Sequence, residues 1–289
     1  MSDPIRSVAL FTHQVREVAA PVVAEVLPLL EERGIRLLLP PGETLKHPGL
    51  VDVGGEGCCE VAREELTEAD LCLVLGGDGT MLRALRLTRD LGVPVAGINL
   101  GRVGFLATIQ KDELQRDLAR LLDGEYVAQP LLGLTTSSNG ATLRAVNDLV
   151  VGRGREGGIC HISYGVNGVS LFDVRADALV ISTPAGSTAY NLAVGGPVLG
   201  VNLQGYVVSY VAPHALAVRS VVLATADVVT LRNESRHTAV DILSDGEHVG
   251  SLQALAELEV RTAPALATLA LLPESDFYHN FAQRFVGGA

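Results

Sequence analysis

The sequence has no tryptophan, only six phenylalanines and six tyrosines, and only two lysines among its 289 residues. Basic residues number 22 against 33 acidic ones, so the formal net charge is −11 at pH 7. No basic cluster offsets this excess, and general binding of nucleic acid or of an anionic membrane surface is not expected. A ligand that carries phosphates must therefore be bound by local backbone dipoles, a metal ion and a few arginines.

Cysteine is also scarce, and its spacing matches neither a disulfide framework nor a zinc site. No CxxC pair occurs among the four cysteines, Cys58, Cys59, Cys72 and Cys160. This pattern favours reduced thiols in a cytoplasmic protein. The first residues lack the basic start and cleavage site of a signal peptide. The most apolar region, residues 206–231, is interrupted by proline and by charged residues, so no membrane span is expected.

Apolar residues make up 48% of the chain, which predicts a globular protein with a sizeable core. In the first third, apolar strand-like runs alternate with segments of helical spacing. This order predicts an α/β domain built on a doubly wound parallel sheet. The predicted strands are Ser7–Phe11, Ile35–Leu39, Leu71–Leu75 and Val93–Ile98, and the predicted helices are Val15–Arg33, Cys58–Thr67, Met81–Leu91 and Asp112–Leu122.

The pattern changes after Tyr126 to short β-rich runs separated by turn residues, which predicts an all-β-rich second domain. The runs are Thr142–Val151, Ile159–Tyr164, Ser170–Arg175, Ala178–Ile181, Tyr206–Val211, Ser220–Leu223, Val228–Leu231, Ala239–Leu243 and Glu257–Arg261. One helical turn is expected near Ala189, and a final helix at Ser275–Phe285. The predicted domains are residues 1–126, joined by 273–289, and residues 127–272.

The sharpest local motif is Gly76-Gly77-Asp78-Gly79-Thr80, between a predicted buried strand and a predicted helix. Its glycines allow positive φ and a close approach of backbone N–H groups to a ligand. The helix directs its positive end to the same place, which suits a phosphate chain, although the P-loop pattern is absent. Asp78 would take a proton from an attacking hydroxyl or hold a magnesium ion. The alternative is a tight turn in which Asp78 caps the next helix.

Two other segments place polar groups next to apolar strands. Ser182–Tyr190 holds four hydroxyl-bearing Ser and Thr side chains and a tyrosine, which can bind a polar ligand. The alternative is a helix start capped by Ser or Thr. Asn147 and Asp148 interrupt an apolar run and offer an amide and a carboxylate to ribose hydroxyls or a base edge. Their alternative is a turn at a strand end.

In their order and spacing these motifs resemble the NAD kinase family. The resemblance extends over about the middle half of the chain and includes Gly76–Thr80, Gly97–Leu106, Asn147-Asp148, Ser182–Tyr190 with Gly195-Gly196-Pro197, Pro213–Arg219 and Asp245-Gly246. It implies that the α/β domain binds ATP and phosphate and that the β-rich domain binds a dinucleotide. The active site is then expected in the cleft between the two domains.

The resemblance implies a reaction and its partners. The γ-phosphoryl group of ATP, with Mg²⁺ as divalent metal, is transferred to the 2′-hydroxyl of the adenosine ribose of NAD, which gives NADP. Asp78 falls on the position proposed as general base, and no residue is assigned as a metal ligand. The family forms homodimers or homotetramers. The partners are NAD and ATP, with neither nucleic acid nor a membrane.

The resemblance also implies which residues contact the substrates. The phosphate-binding turn is formed by Gly76, Gly77, Gly79 and Thr80. An aromatic position near the adenine falls on Phe105, and positions that contact the adenosine fall on Thr188, Ala189 and Tyr190. The dinucleotide is held by Asn147 and Asp148. A basic and an acidic residue, which in relatives can reach NAD across a subunit interface, fall on Arg175 and Asp177.

Three departures from the family pattern affect contacts rather than Asp78. Asp148 stands where glutamate is usual, alanines replace glycines on both sides of Asp177, and Ala185 stands where Ser or Thr is common. The local positive potential for ATP is expected from magnesium, the helix that follows the turn, Arg102 and Arg175.

Two other functions fit part of the sequence. The glycine-aspartate turn is shared with lipid and polyol kinases, but the Ser182–Tyr190 segment argues against that activity. A non-catalytic NAD(P)-binding regulator could use the same scaffold, but the intact turn and Asp78 argue against the loss of catalysis.

Overall fold

The computed structural model describes residues 4–47, 58–101, 104–106, 109–138, 140–154, 158–275 and 277–285. Arg102, expected to contribute positive potential, lies outside these residues. The chain divides into two compact units. The first unit comprises Met1–Pro130 and Ala267–Ala289, and the second comprises Leu131–Leu266.

The first unit contains a parallel sheet in the order β3-β2-β1-β4-β5, with β6 paired to β5. These strands are β1 (Ser7–Thr12), β2 (Arg36–Leu39), β3 (Cys58–Glu60), β4 (Leu71–Leu75), β5 (Pro94–Asn99) and β6 (Ile109–Gln110). The helices among them are α1 (Arg16–Glu32), α2 (Glu43–Lys46), α3 (Asp78–Thr88) and α4 (Leu114–Leu122). Near the other end of the chain, Thr268 and Leu269 add a further parallel pairing to β5. The prediction of an α/β domain with a parallel sheet is confirmed.

Apolar periodicity explains how these elements pack. Every residue of β4 is buried, as its uninterrupted apolar sequence predicts for a central parallel strand. Helix α1 buries Ala19, Val22, Val26 and Leu30, spaced three or four residues apart along one face. These side chains belong to one apolar core with the strands of the sheet, so the first unit has a core of its own.

Two predicted elements of the first unit differ from the structure. The predicted helix Cys58–Thr67 is wrong, because Cys58–Glu60 pairs in parallel with β2 and a 3₁₀ helix occupies Arg63–Glu68. Three residues are too few to show a strand period, and the pairing partner is distant in sequence. Helix α3 begins at Asp78 rather than Met81, since Gly77 already occupies its N-cap position.

The second unit is built from antiparallel strands, which confirms the prediction of a β-rich second domain. One sheet has the order β14-β13-β12-β9-β16-β17, another set of strands pairs as β11-β10-β15-β18, and β7 pairs with β8. The strands are β7 (Val127–Ser138), β8 (Ala141–Ala145), β9 (Asp148–Gly152), β10 (Cys160–Val166), β11 (Val169–Ala176), β12 (Ala178–Ser182), β13 (Gly205–Val211), β14 (Val221–Ala224), β15 (Val229–Asn233), β16 (Val240–Ser244), β17 (Glu247–Leu252) and β18 (Glu257–Leu271).

Each predicted β-rich run overlaps at least one strand. The run Thr142–Val151 divides into β8 and β9 at Val146 and Asn147. Strands β7 and β17 were not among the predicted runs. Their sequences contain glycine and many polar residues, and half of the residues of β17 are exposed.

Short helical elements complete the chain. A 3₁₀ helix at Ala185–Thr188 and helix α5 (Tyr190–Ala193) occupy the predicted helical turn near Ala189. Helix α6 (Phe277–Phe285) corresponds to the predicted final helix. Among the described residues, none of the helices combines the length and the apolar character needed to cross a membrane.

Candidate active site

The Gly-Gly-Asp-Gly-Thr turn lies at the carboxyl end of β4, where α/β sheets place their ligands. The N–H of Gly76 donates a hydrogen bond to the carbonyl of Ile98 on β5 at 3.0 Å. Gly77 is the N-cap of α3, whose first residue is Asp78. The positive end of the helix dipole is therefore located at this turn.

The glycines of the turn provide space rather than an unusual backbone. None of Gly76, Gly77 and Gly79 has a positive φ, so the turn does not use the left-handed backbone that glycine allows. A β-carbon at Gly76 would overlap the side chain of Thr80. A β-carbon at Gly77 or Gly79 would meet no atom within 4 Å. The backbone of these last two glycines is consequently open to a ligand.

The carboxylate of Asp78 is held by a neighbouring loop of the same unit. It accepts hydrogen bonds from the N–H of Phe105 at 3.0 and 3.1 Å and from the N–H of Leu106 at 3.1 Å. No side-chain hydrogen bond caps α3, so the alternative in which Asp78 only caps its own helix is wrong. The side chain is still 34% exposed. Asp78 therefore presents a fixed carboxylate with an accessible edge.

Arg284 on α6 contacts both Asp78 and the loop that holds it. Its Nη1 lies 3.5 Å from Oδ2 of Asp78. Its guanidinium carbon lies 4.7 Å from the centre of the Phe105 ring, which is the geometry of a cation–π contact. The ring of Phe277 is 6.2 Å from that of Phe105. Phe105 is buried by these contacts, and its backbone positions Asp78; its expected place near an adenine stays a prediction.

A cavity of about 300 Å³ opens beside the turn. Its lining consists of His13, Gln14, Gly77, Gly79, Thr80 and Arg83. His13 and Gln14 follow the carboxyl end of β1, so the cavity combines the ends of two adjacent strands with the start of a helix. The sequence motifs described above include neither Gln14 nor Arg83. Arg83 is not part of a recognisable motif, and only the fold shows that it lines this cavity.

A buried acid–base cluster lies on α2 and β1. The Oε2 of Glu43 accepts a hydrogen bond from the hydroxyl of Thr12 at 2.6 Å, and Glu43 also forms an ion pair with Lys46. The amine of Lys46 donates to the carbonyl of Thr12 at 3.1 Å. Burial lowers the pKa of Lys46 and also that of His47. The charge of Glu43 is thus matched inside its own cluster.

In the second unit, Asn147 and Asp148 are held by the carboxylate of Asp245. This carboxylate accepts hydrogen bonds from the N–H groups of Val146, Asn147 and Asp148 at 2.9, 2.7 and 3.2 Å. The N–H of Asp245 donates to the carbonyl of Asp148 at 2.9 Å. Asp245 has φ of 50° and is followed by Gly246 at 81°, so a tight left-handed turn directs the carboxylate to these three donors.

The side chains of this pair are buried and polar. Asn147 is 7% exposed, and its Oδ1 has no hydrogen-bond partner among the described residues. Burial and the nearby charge of Asp245 raise the pKa of Asp148 to about 7. A buried amide oxygen without a partner is costly in a native structure. The pair therefore offers more than the strand-end turn considered as its alternative.

The Ser and Thr hydroxyls of the Ser182–Tyr190 segment form hydrogen bonds within the protein. Thr183 donates to the carbonyl of Val146 at 2.7 Å and accepts from the N–H of Gly186 at 3.0 Å, which fits the capping alternative. Ser182, Ser187 and Thr188 also donate to protein carbonyls, so these hydroxyls already have partners within the protein. The exposed end of the segment is Ala189 and Tyr190, with Thr188 partly exposed.

Arg175 and Asp177 do not pair with each other through an ion pair. Asp177 forms its ion pair with Arg153 at 2.9 Å, and the carbonyl of Arg175 accepts from the N–H of His214 at 2.8 Å. Arg175 is exposed. The alanines that replace glycine beside Asp177 have no positive φ, so this strand has no conformational need for glycine.

Comparison with known proteins supports one family over both units. The family described as "ATP-NAD kinase N-terminal domain" matches residues 57–126. The family described as "ATP-NAD kinase C-terminal domain" matches residues 146–271. The two matches together span more than half of the chain and include the glycine-aspartate turn, Asn147-Asp148 and Asp245.

Two curated relatives are similar over almost their whole length. The NAD kinase of Symbiobacterium thermophilum is 32% identical over 286 residues, which is 96% of this chain and 98% of the relative. The NAD kinase of Thiobacillus denitrificans is 33% identical over 292 residues, which is 97% of this chain and 96% of the relative.

Two solved structures share the fold at low sequence identity. A yeast NADH kinase complexed with NADH has a TM-score of 0.83 at 18% identity, over 99% of this chain and 89% of its own. An NAD kinase from Archaeoglobus fulgidus in complex with ATP has a TM-score of 0.72 at 20% identity, over 95% and 96%. Together with the family matches and the curated relatives, they show that this chain belongs to the NAD kinase family.

Proposed function

We propose that this enzyme transfers the γ-phosphoryl group of ATP to the 2′-hydroxyl of the adenosine ribose of NAD, and that Asp78 is the general base. The observation that carries the proposal is the carboxylate of Asp78, which two backbone N–H groups hold in place while 34% of the side chain stays exposed. A weakly nucleophilic hydroxyl needs a positioned base of this kind.

The cavity in the first unit supports ATP as the donor. The glycines at 77 and 79 leave the backbone open beside it, and the start of α3 supplies a positive dipole end. The archaeal relative of the same fold is in complex with ATP. We assign the phosphate chain to Gly76, Gly77, Gly79 and Thr80.

Two sets of residues in the second unit support a dinucleotide as the acceptor. The unpartnered amide oxygen of Asn147 can accept a hydrogen bond from a ribose hydroxyl, and Asp148 lies next to it. Thr188, Ala189 and Tyr190 provide the accessible edge for adenosine. The yeast relative of the same fold is complexed with NADH.

In the chemical step the protein forms no covalent bond with the substrates. Asp78 accepts the proton of the 2′-hydroxyl as its oxygen bonds to the γ-phosphorus. The bond from that phosphorus to the oxygen bridging it to the β-phosphate breaks, and ADP leaves. Transfer of this type depends chiefly on positioning and on stabilising charge. The backbone clamp on Asp78 supplies positioning, and the open N–H groups of the turn stabilise charge on the phosphates.

The residues fit a magnesium ion carried by ATP better than a metal bound by the protein alone. Within the described residues no group of three or more His, Cys, Asp or Glu side chains could hold a metal ion. Magnesium bound to substrate phosphates needs only one or two protein carboxylates, and Asp78 is the carboxylate of the turn. When bound, the ion would neutralise charge on the phosphoryl group.

Assembly and location complete the proposal. We infer a homodimer or homotetramer, since the exposed Arg175 is available for a contact with a dinucleotide bound to a neighbouring subunit. Free, buried Cys72 and Cys160 support a reducing compartment such as the cytoplasm. Light scattering coupled to gel filtration tests the assembly.

The function is tested by incubating the purified protein with NAD, ATP and magnesium and detecting NADP with an NADP-specific dehydrogenase. We expect metal-dependent NADP formation that Asp78→Asn nearly abolishes, while NAD still binds in calorimetry. The control is Asp112→Asn, which alters an exposed carboxylate of the first unit. If Asp78→Asn keeps the wild-type kcat, the general-base assignment is wrong. If wild type binds NAD but makes no NADP, the proposed reaction is wrong.

A further inference from the structure

Arg83 has a buried donor that the protein does not use. It lies on α3, and its Nη1 is buried without a hydrogen-bond partner among the described residues. Leaving a buried charged donor unsatisfied costs more than leaving a neutral one. Such groups are rare in native proteins, and an unoccupied ligand position is one of the reasons for them.

The side chain of Arg83 lines the cavity beside the glycine-aspartate turn. The other lining residues include Gly77, Gly79 and Thr80. Side chains of a helix lean towards its N-terminus, over the residues three and four positions earlier. For Arg83 these are Thr80 and Gly79, which brings the guanidinium back to the N-terminal end of α3. The side chain of Arg83 and the open backbone of the turn thus line the same cavity.

No charged group near Arg83 forms an ion pair with its guanidinium among the described residues. Burial lowers the pKa of Lys46, and the positive charge of Arg83 adds to this lowering, so the two cations lie within electrostatic range. The acids of this region have other partners. Glu43 is paired with Lys46 and hydrogen-bonded to Thr12, and Asp78 accepts the N–H groups of Phe105 and Leu106. In the part of the chain that the structure describes, the guanidinium of Arg83 thus has no acidic partner, although acids outnumber bases in the sequence by 11.

We propose that Arg83 binds the phosphate chain of the donor nucleotide in this cavity. A guanidinium presents several N–H donors in one plane and forms strong, paired hydrogen bonds with phosphate oxygens. A phosphate in the cavity would give the guanidinium an acceptor for its N–H donors, and the charge of Arg83 would add to the dipole of α3. The proposal rests on the proposed function, which supplies the triphosphate, and it adds a binding residue that no motif indicates.

The proposal is tested with inorganic tripolyphosphate, because this probe has neither base nor ribose. Its affinity is measured by calorimetry for wild type, Arg83→Met, Arg83→Lys and the control Arg86→Met. Arg86 lies on the same helix, one turn further on, and does not line the cavity. We expect Arg83→Met to weaken binding at least about tenfold and Arg83→Lys to retain part of the affinity, while Arg86→Met stays within about twofold. Thermal melting establishes that each variant is folded.

Steady-state kinetics give a second measurement. Arg83→Met should raise the KM for ATP at least about tenfold and leave the KM for NAD within about twofold, because the lost contact is with the donor. The proposal is overturned if Arg83→Met binds tripolyphosphate like wild type, or if folded wild type does not bind it. If binding depends on Arg83 but no NADP forms, the proposal stands and the proposed reaction fails.

Discussion

Gly104 stands directly against Asp78: a β-carbon at position 104 would overlap Oδ1 of the Asp78 carboxylate. The residues that follow, Phe105 and Leu106, donate the backbone hydrogen bonds that hold this carboxylate. The loop therefore fits the functional group of Asp78 on two sides, by space and by hydrogen bonding.

We expect Gly104→Ala to displace the carboxylate and lower kcat by about 100-fold, the loss that a misplacement of about 1 Å can cause. The KM for ATP and NAD should change little, since the overlap is with the carboxylate of Asp78 and not with the residues to which binding is assigned. Gly101→Ala is the matched control, because a β-carbon at Gly101 meets no atom within 4 Å. A kcat for Gly104→Ala equal to that of the control would show that the fit is not needed for activity.

The three backbone hydrogen bonds to Asp245 should matter for NAD rather than for ATP. Asp245→Asn replaces one acceptor oxygen with an amide that faces N–H donors, at a cost of about 1–3 kcal/mol. We expect the KM for NAD to rise by about tenfold to 100-fold at an unchanged KM for ATP. Asp227→Asn is the control, since Asp227 accepts a backbone N–H in an exposed turn of the same unit. Equal changes in both KM values would refute the assignment.

Asp148 should make the free energy of unfolding depend on pH. Burial and the charge of Asp245 raise its pKa to about 7, above the value in an unfolded chain. The native state then binds more protons than the unfolded state between about pH 4 and pH 7, so stability falls as the pH rises through this range. Asp148→Asn removes the cost of burying the ionised form.

The variant should therefore gain stability relative to wild type by a few kcal/mol at about pH 8 and by much less at about pH 5. Urea unfolding at the two pH values measures the difference, with Asp112→Asn as an exposed control. A gain that is the same at both values would mean that Asp148 is not the titrating group.

Alanine at the first two glycines of the turn should separate folding from ligand binding. Gly76→Ala brings a methyl group into the Thr80 side chain, so the melting temperature should fall by several degrees. Gly77→Ala has room and an ordinary φ of −93°, so the melting temperature should hold while the KM for ATP rises. A lower melting temperature for Gly77→Ala with an unchanged KM for ATP would contradict the assignment of the open space beside Gly77 to the ligand.

Sequence patterns predicted the strand, turn and helix around Asp78 because all three signals are local. The apolar run of β4, the glycines and the helical spacing after them lie within about twenty residues. The partners of the functional groups are not local. Asp245 is separated by 97 residues from Asp148, and Arg284 by 206 residues from Asp78. Family resemblance indicated Asp245-Gly246 as a motif, but only the fold shows which three N–H groups its carboxylate accepts.

In the hydroxyl-rich segment Ser182–Tyr190, local composition alone did not show which side chains are free to bind a ligand. Its composition indicated a polar surface for a ligand, yet Thr183 and Ser187 are buried and bonded to the protein. Residue type gives the capacity to donate a hydrogen bond, and burial decides whether the partner is a ligand or the backbone. A strand as short as Cys58–Glu60 escaped prediction for a related reason, since its partner β2 supplies the stabilisation.

The pairing of Thr268 and Leu269 with Pro94 and Val95 sets an order for the chain as it is synthesised. The second unit, Leu131–Leu266, is one continuous stretch of the chain, so all of its residues are available for folding once it has left the ribosome. The first unit begins earlier, but part of β5 lacks this partner until residue 269 has been made, and Asp78 lacks Arg284 for longer. Synthesis of the unit with the proposed base therefore begins first and is completed last. In the interval Pro94 and Val95 of β5 lack the strand partners Thr268 and Leu269, and an unpaired strand edge can pair with a wrong strand.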